Sequence, residues 1–382
     1  MYNIKYPKFL LYFIIFWLAI YFFITLSINP YGISPVNFVF NKFNKYKVVR
    51  KNIDRFIKPY EVWRYQPKTI FLGTSRIHQS IDPSILNDSY FSPAYNASIP
   101  ASTLSLNASH LKQYINLDPN LKTVFVELFL YNFLGQEQEH VNKNFSEFLI
   151  NTYRLFFSID TLWGSINTFG YNFIINKPAY EIKPGGFFYY PDGHIAKGPF
   201  DGFPEGIWKI HNKDGYKLHQ PAFEAIDEII QLCNDNNIEL IFILSPNHAY
   251  FDYYFDDIKL WNLVDEWLSR LTAKKIKIYS FSQPNDFVYE TVSIDMKYWY
   301  DPSHFTTLMG HGILDSLLGK NIDDLPANFV LKMTQDNYQK TVVERQKNIK
   351  IWGEQNPDFV QKFKSEKFRY YNPNLFISKN PV

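Results

Sequence analysis

The stretch Thr69–Arg76 reads TIFLGTSR. Its short apolar run indicates a buried strand, and the Gly-Thr-Ser-Arg that follows indicates a tight turn leading into a helix-like segment. Ser75 would then lie at the tip of this turn. A serine hydroxyl is a weak nucleophile unless a neighbouring base takes its proton. The chemical value of the turn therefore depends on a base elsewhere in the chain.

Four further stretches predict strands, and helical patterns separate most of them. The five predicted strands are Thr69–Leu72, Ala94–Ala97, Thr123–Leu128, Glu239–Leu244 and Ile276–Phe281. The helical patterns are Ser80–Leu86, Leu104–Ile115, Ala222–Asn234, Val264–Leu271 and Phe305–Leu318. Strands that alternate with helices favour a parallel sheet with right-handed crossovers and helices on both faces. We therefore predict an α/β fold, a three-layer sandwich around a parallel five-stranded sheet.

An uncharged run near the N-terminus predicts a membrane anchor. Phe9–Ile28 reads FLLYFIIFWLAIYFFITLSI and contains no charged residue. A helix of about 20 residues spans about 30 Å, the thickness of the hydrocarbon layer. A cleaved signal peptide is the alternative, but its apolar region is usually about 7–15 residues and ends at small residues. The longer run without such a site favours an uncleaved transmembrane helix.

Basic residues on both sides of this helix leave its orientation open. Two lysines precede it, and a basic cluster follows it. The residues concerned are Lys5 and Lys8 on one side and Lys42, Lys45, Lys47, Arg50 and Lys51 on the other. The positive-inside rule counts lysines and arginines near both ends of a span, so it does not decide between the two topologies.

The sequence divides into four predicted segments. Residues 1–30 are the transmembrane anchor, 31–66 a basic juxtamembrane connector, 67–325 the α/β domain and 326–382 a polar helical tail at the periphery. Within the α/β domain, about residues 135–217 break the alternation and are rich in Phe, Tyr, Gly and Pro. We interpret this part as an insertion over the carboxyl edge of the sheet. It is either an irregular lid or an aromatic surface that stacks on sugars.

The composition excludes several functional classes. The chain has 382 residues, 46% of them hydrophobic, which is enough for a large core. Its 39 basic and 37 acidic residues give a net charge of +2, so electrostatics give no reason to expect a nucleic-acid partner. Cys233 is the only cysteine, which excludes intrachain disulfides and cysteine-based zinc sites. No set of metal ligands can be assembled, and neither a metal nor another cofactor is predicted.

A second motif supplies a base for Ser75. Asp301 and His304 follow the fifth predicted strand and precede the last helix. In an open parallel sheet the ligands bind outside the carboxyl ends of the strands, so all three residues should lie at one edge. His304 could take the hydroxyl proton, and Asp301 could hold the imidazole in the required tautomer. The pattern predicts a catalytic triad of Ser75, His304 and Asp301.

These motifs resemble those of the SGNH (GDSL-like) hydrolase superfamily. Gly73–Arg76 (GTSR) is similar to the nucleophile block, and Asp301–His304 (DPSH) is similar to the D-x-x-H block. The anchor followed by the turn Asn29–Gly32 resembles membrane-anchored extracytoplasmic members, such as the alginate O-acetylation proteins and the D-alanyl-lipoteichoic acid protein DltD. The resemblance covers about residues 1–133 and 215–320.

The resemblance implies both a fold and an activity. The fold would be SGNH/flavodoxin-like, with the large domain outside the cytoplasm, in the periplasm or at the cell surface. The activity would be serine-dependent acyl transfer or ester hydrolysis on a cell-envelope glycan or polysaccharide. The resemblance also implies a partner that delivers the acyl group, a membrane-bound O-acyltransferase.

The oxyanion hole is where the chain departs from the family pattern. The second block usually supplies a glycine N–H, whereas the matching stretch 97–101 offers the N–H groups of other residues. The third block usually supplies an asparagine, which has no close equivalent after the third strand. The candidate contacts to the oxyanion or the substrate are Arg76, Ala101, Asn132 and His248. Two alternatives stay open: a catalytically silent binding or scaffold protein, and a lipid esterase that faces the cytoplasm.

Overall fold

The computed structural model describes residues 5–34, 39–40, 42–50, 53–134, 145–175, 180–190, 216–293, 295–320 and 324–371. Its α-helices are α1 (Lys5–Ile28), α2 (Asp54–Tyr65), α3 (Ser75–Ser80), α4 (Leu104–Leu117), α5 (Phe145–Phe157), α6 (Ile159–Ile174), α7 (Gln220–Asp235), α8 (Ala249–Asp257), α9 (Trp261–Thr272), α10 (Thr307–Leu317), α11 (Tyr338–Gln355) and α12 (Pro357–Tyr371). Its strands are β1 (Thr69–Leu72), β2 (Ala94–Asn96), β3 (Thr123–Leu128), β4 (Glu181–Lys183), β5 (Phe187–Tyr189), β6 (Glu239–Leu244), β7 (Lys277–Ser280) and β8 (Leu331–Met333). Short 3₁₀ helices cover Pro83–Leu86, Leu130–Phe133 and Pro184–Gly186.

A six-stranded, mostly parallel sheet forms the centre of the fold. The strand order is β2-β1-β3-β6-β7-β8, and β4 pairs with β5 in a separate antiparallel hairpin. The strands from β2 to β7 in this order are parallel, whereas β8 is antiparallel to β7. All five predicted strands are therefore present, and the prediction of a five-stranded sheet is corrected to six. The sequence pattern does not indicate β8, because this strand is only three residues long.

Helices cover both faces of the sheet, because successive side chains of a strand point to opposite faces. On one face, apolar residues of the central strands pack with those of α2, α4, α7 and α9. On the other face they pack with α3 and α10, and the rings of Phe71 and Phe125 stack with centroids 4.7 Å apart. Strands buried on both faces have continuous apolar runs, which is why the sequence indicates them so clearly.

The two helices of the second face are in tight contact at Gly310. A Cβ atom at Gly310 would lie 1.8 Å from the carbonyl oxygen of Ser80. The Ser80 hydroxyl also donates a hydrogen bond to the carbonyl of Phe305. Glycine at this position therefore lets α10, which follows His304, pack directly on α3, which begins at Ser75.

Gly310→Ala should consequently lower the free energy of unfolding by about 1–3 kcal/mol, because the added methyl group overpacks the contact. Gly170→Ala is the matched control, since it is also in a helix but nothing lies within 4 Å of its Cβ position. The control should be neutral or stabilise by up to about 1 kcal/mol. Denaturant unfolding of the full chain in detergent measures both. Equal unfolding midpoints for the two variants would show that the α3–α10 contact tolerates the methyl group.

The described part of the predicted insertion does not form one lid over the sheet edge. Helices α5 and α6 pack against α2 and α1 instead, and the Tyr21 hydroxyl of α1 donates to the carbonyls of Phe156 and Ser158 at 3.0 and 2.9 Å. In the described part of the insertion, the region of the β4–β5 hairpin approaches the predicted site, where the rings of Tyr190 and Tyr300 are 6.3 Å apart. The rest of the insertion lies outside the described residues.

Within the described residues 324–371, β8 and α11 belong to the core rather than to a peripheral tail. Strand β8 extends the sheet, and α11 packs against α8 and α9. Arg345 of α11 is 2% exposed and donates to Asp252 through two hydrogen bonds of 3.0 and 2.6 Å. Trp352 of the same helix is also buried. The sequence misleads here because a charged residue indicates a surface, whereas Arg345 is buried with its partner.

Helix α1 is long and apolar enough to cross a membrane, and no other helix among the described residues is. The predicted N-terminal apolar helix is therefore present. Its last carbonyls accept hydrogen bonds from the connector: Asn44 donates to Ser27 at 2.8 Å and Lys47 donates to Ile28 at 3.1 Å. Carbonyl groups at a helix end lack partners within the helix, so these contacts fix α1 to the segment that follows it.

Candidate active site

Ser75, His304 and Asp301 form one chain of hydrogen bonds. Ser75 Oγ lies 2.8 Å from His304 Nε2, and His304 Nδ1 lies 2.7 Å from Asp301 Oδ2. The side chains of His304 and Asp301 are 26% and 21% exposed, so the site opens to solvent. These distances are within the hydrogen-bond reach that a nucleophile and its base require. The structure thus brings together the three residues that the sequence analysis groups.

The nucleophile turn lies where the strand order reverses. Ser75 is the first residue of α3 and directly follows β1, which lies between β2 and β3. The carboxyl ends of strands at such a switch point form the usual ligand crevice of an open α/β sheet. Thr74 caps α3, and its hydroxyl accepts the N–H of Arg76 at 3.3 Å. The Ser75 N–H, in the first turn of α3, has no hydrogen bond to any described residue.

Asp301 is held by its own loop. Its Oδ1 accepts the backbone N–H groups of Ser303 and His304 at 2.7 and 2.8 Å, and its Oδ2 faces His304. Burial by itself would raise the pKa of Asp301, but the hydrogen bonds from His304 and the two N–H groups lower it below its usual value. The charged carboxylate fixes the His304 tautomer that carries the proton on Nδ1. His304 Nε2 is therefore left to accept the proton of Ser75.

Glu127 is a buried residue of the site that the sequence analysis leaves without a role. It lies in β3, and its Oε2 accepts both the N–H and the hydroxyl of Thr74 at 2.8 Å. Its Oε1 accepts the Ser245 hydroxyl at 2.8 Å and lies 3.5 Å from Nε of Arg76. Glu127 therefore ties the nucleophile turn to β3 and to the loop after β6. A lone carboxylate in the apolar run TVFVEL is the signal for this role, because buried carboxylates need partners.

Gly73 and Asn96 allow the turn and the short helix α3 to form. A Cβ at Gly73 would lie 2.9 Å from the Glu127 carboxylate and 2.8 Å from the Ile77 side chain. Asn96 is fully buried and donates to the carbonyls of Ile77 and Ile81 at 2.9 and 2.8 Å. These bonds satisfy carbonyl groups at the end of α3. Gly73 at the turn and Asn96 at the end of α3 therefore help to set the position of Ser75.

Arg76 lies inside the protein and pairs with the sheet edge. It is 1% exposed, donates to the carbonyl of Pro246 and stacks over the Phe129 ring at 4.1 Å from the centroid. Burial lowers the pKa of Arg76 to about 10, while the neighbouring Glu127 favours its charged form. Arg76 is therefore charged at neutral pH and supports the turn. The prediction that its side chain contacts an oxyanion or substrate is corrected accordingly.

His248 is likewise a structural residue rather than a substrate contact. Its Nδ1 accepts the N–H of Tyr250 at 3.0 Å, so it caps the N-terminus of α8, and its Nε2 donates to the carbonyl of Glu290 at 2.8 Å. The side chain is 0% exposed, and its backbone N–H donates to Pro302 at 3.3 Å. His248 therefore supports the loop that carries Asp301 and His304. The prediction of a substrate contact fails because both ring nitrogens bind protein groups.

This burial predicts a pH-dependent stability. Burial lowers the pKa of His248 to about 4, whereas an unfolded histidine has a pKa of about 6.5. Between these values the unfolded state binds a proton that the folded state does not, so stability falls as the pH falls through this window. Because of His248, the free energy of unfolding should be about 2 kcal/mol lower at pH 5 than at pH 7.

His248→Asn should reduce this pH dependence, because asparagine caps a helix without titrating in this range. Unfolding midpoints of both proteins at pH 7 and pH 5 provide the measurement. Part of the dependence should remain, since burial also lowers the pKa of His78 to about 4. Identical pH dependence in the two proteins would contradict the neutral, capping role of His248.

The loop after β2 supplies a candidate oxyanion donor. The N–H of Ile99 donates to the carbonyl of Gly73 at 3.1 Å, which brings this loop beside the nucleophile turn. Two residues later, Ala101 is exposed and has a left-handed φ of 56°. Its N–H makes no hydrogen bond within the described part of the chain. Backbone N–H groups of Ser75 and Ala101 are therefore available to an anionic oxygen.

Asn132 lies after β3, in the 3₁₀ helix Leu130–Phe133, and is half-buried. Its N–H donates to the carbonyl of Phe129 at 3.0 Å. It thus lies past the carboxyl end of a strand next to β1, as the sequence analysis expects. Its side chain has no hydrogen bond to Ser75 or His304 within the described residues, and its assignment as an oxyanion donor stays a prediction.

Comparisons with known proteins give no family for this chain. No protein-family model matches the sequence, and no curated protein matches it. Among the described residues, no group of three or more His, Cys, Asp or Glu side chains could hold a metal ion. A functional interpretation therefore depends on the geometry of the site.

Proposed function

We propose that this chain is a membrane-anchored serine esterase or O-acyltransferase that acts on an acyl ester of a cell-envelope glycan. The observation that carries the proposal is the hydrogen-bonded chain from Ser75 through His304 to Asp301 at the switch point of the sheet. A serine that merely ends a turn has no need of an oriented imidazole at its hydroxyl. The buried support from Glu127 holds this turn in one position, as a nucleophile requires.

The first half-reaction forms an acyl-enzyme. Ser75 Oγ attacks the carbonyl carbon of the ester while His304 Nε2 takes the hydroxyl proton. Asp301 stabilises the imidazolium that forms and does not itself take a proton. When the tetrahedral intermediate collapses, His304 returns the proton to the leaving alcohol oxygen, and the acyl group stays on Ser75.

The second half-reaction releases the acyl group. A water molecule, or a sugar hydroxyl in the transferase case, loses its proton to His304 Nε2 and attacks the acyl-enzyme carbonyl. The Ser75 oxygen leaves and regains the proton from His304. The same residues thus serve hydrolysis and transfer, and the acceptor that reaches the site decides between them.

Two backbone groups support charge stabilisation in both steps. The N–H groups of Ser75 and Ala101 have no hydrogen-bond partner among the described residues. The first belongs to the nucleophile itself, and the second to the loop after β2 that contacts the nucleophile turn through Ile99. One oxyanion donor typically contributes about 10²–10³-fold in kcat. A complete hole of two donors therefore requires no asparagine after β3.

The location and partners follow from α1 and the family resemblance. We propose that α1 crosses the membrane once, with the large domain on the extracytoplasmic side, where cell-envelope glycans are found. The paired rings of Tyr190 and Tyr300 beside Asp301 would offer a surface on which sugars stack. A membrane-bound O-acyltransferase would supply the acyl group, as in the proteins that this chain resembles.

Covalent labelling tests the proposed function directly. The full chain in detergent is treated with a fluorophosphonate probe, and turnover of p-nitrophenyl acetate is measured in parallel. We expect the probe on Ser75, and loss of both signals in Ser75→Ala. Ser84→Ala, which removes an exposed hydroxyl, should behave like the unaltered chain. If the probe does not label Ser75 and ester turnover is unchanged in Ser75→Ala, the proposed serine-dependent activity is refuted.

A catalytically silent glycan-binding protein is the second candidate. The burial of Arg76, which removes a charged side chain from the candidate oxyanion donors, is the observation that favours it. Glycan binding that survives Ser75→Ala, without turnover in either protein, would support this candidate.

A further inference from the structure

In helix α6 the polar and apolar side chains are distributed in the opposite way to those of a helix on the surface of a water-soluble domain. Its buried residues are small or polar: Thr161, Gly164, Ser165, Thr168 and Asn172. Apart from Asp160 and Asn167, its exposed residues are large and apolar: Ile159, Trp163, Ile166, Phe169, Phe173 and Ile174. A surface helix in water normally turns its apolar stripe toward the core. The exposed stripe of α6 therefore needs an apolar environment outside the protein.

The preceding helix extends this apolar surface. On α5, the exposed side chains include Leu149, Ile150, Tyr153 and Phe157. We call the exposed apolar residues of α5 and α6 together the hairpin face. No charged residue occurs between Thr161 and Ile175. Contiguous apolar patches of this extent are rare on soluble monomers and mark contacts with proteins or membranes.

The hairpin face is continuous with the helix that would cross the membrane. The Tyr21 hydroxyl of α1 binds carbonyls at the α5–α6 junction, and the rings of Phe22 and Phe157 are 5.2 Å apart. On the inner side, Asn172 exchanges hydrogen bonds of 2.8 and 3.0 Å with the backbone of Tyr46. The side-chain amide of Asn172 is thus satisfied inside the protein, as a lipid environment demands.

We propose that the α5–α6 hairpin is a second membrane-contacting element, which inserts the hairpin face into the leaflet entered by the C-terminal part of α1. The inference rests on the proposed role of α1 as a membrane anchor. The 16 residues of α6 span about 24 Å, less than the hydrocarbon thickness of about 30 Å. Helix α6 is therefore too short to cross the bilayer upright, and we place it along the interface of one leaflet. Trp163 and Tyr153 suit the interfacial region, where aromatic side chains collect.

The test uses the full chain in nanodiscs with one copy per disc. Cys233 is buried, so an environment-sensitive thiol fluorophore reports on single introduced cysteines. We place these at Ile166→Cys and Phe173→Cys in the hairpin face, and at Phe13→Cys in α1. Val343→Cys on α11 is the matched control, because Val343 is also apolar and 59% exposed. Doxyl-labelled phosphatidylcholine quenches fluorophores in lipid, and iodide quenches those in water.

Fluorophores at positions 166, 173 and 13 should show blue-shifted emission that doxyl lipid quenches. The fluorophore at position 343 should be quenched by iodide alone. Iodide quenching at 166 and 173 with lipid quenching at 13 would overturn the inference. So would shielding at 166 and 173 that arises only in discs with two copies, which would identify a dimer interface. Iodide quenching at position 13 would overturn the anchor and the inference together, whereas fluorophosphonate labelling of Ser75 would be unaffected.

Discussion

His304→Ala is expected to lower kcat for ester turnover by about 10⁴-fold or more, because the Ser75 hydroxyl then loses the group that takes its proton. The contact of 2.8 Å between Ser75 Oγ and His304 Nε2 makes this dependence direct. Binding of the ester should change little, since the imidazole acts in the chemical step. Steady-state kinetics with p-nitrophenyl acetate should therefore show the loss in kcat rather than in KM.

Asp301→Asn tests how His304 is oriented. Asparagine keeps an oxygen that can accept the N–H groups of Ser303 and His304, so the loop should retain its shape. An amide N–H facing His304 Nδ1 favours the wrong tautomer, however, and the corresponding change in a serine protease lowers kcat by about 10⁴-fold. We expect a loss of similar size here, with unfolding midpoints close to that of the unaltered chain.

When catalytic residues act as one unit, the losses of activity caused by mutating them singly do not add in a double variant. The double variant Ser75→Ala with His304→Ala should therefore be no less active than Ser75→Ala alone. Thr306→Ala is a suitable control, because the Thr306 hydroxyl donates a hydrogen bond of 2.7 Å to the backbone carbonyl of Lys297 rather than to a residue of the triad. Additive losses, or a loss confined to KM, would contradict a triad mechanism.

The sequence predicts the parts of this structure that depend on local pattern. Strands such as Glu239–Leu244 are buried on both faces, so their apolar runs stand out. The rule that ligands bind at the carboxyl ends of parallel strands then groups Ser75 with His304, although 229 positions separate them. Neither inference needs knowledge of side-chain contacts.

Features that depend on partners distant in sequence are not predicted. Arg345 and Asp252 each indicate a solvated surface when considered singly, and only the fold pairs them in the core. Periodicity in α6 shows that its apolar residues share a face, but not whether that face meets protein, water or lipid. For the same reason the sequence offers His248 as a substrate contact, since its capping of α8 requires the structure.

Glu127→Ala is expected to lower the free energy of unfolding by about 3–5 kcal/mol, the usual cost of removing one partner from a buried ion pair. The charged side chain of Arg76, a residue that is only 1% exposed, would remain buried without the Glu127 carboxylate as its partner. The N–H and hydroxyl of Thr74 and the hydroxyl of Ser245 would also lose their acceptor. Denaturant unfolding of the full chain in detergent provides the measurement.

Glu239→Ala is the matched control, because Glu239 lies at the start of the adjacent strand β6 and pairs with Lys277 at 2.6 Å in a partly exposed position. Such surface pairs contribute only about 0–1 kcal/mol. Equal losses for the two variants would show that the Glu127 network stabilises the fold no more than a surface pair.

A double variant separates the charge from the packing. Arg76→Met with Glu127→Leu removes both charges and fills the site with apolar side chains, which is often far less costly than leaving one charge alone. We expect it to be more stable than Glu127→Ala, with a coupling of about 0.5–3 kcal/mol between the two positions. It should still lose esterase activity, because Thr74 would no longer be tied to β3 and the turn that carries Ser75 would be free to shift from His304. Full activity in this double variant would mean that the triad needs no support from the buried carboxylate.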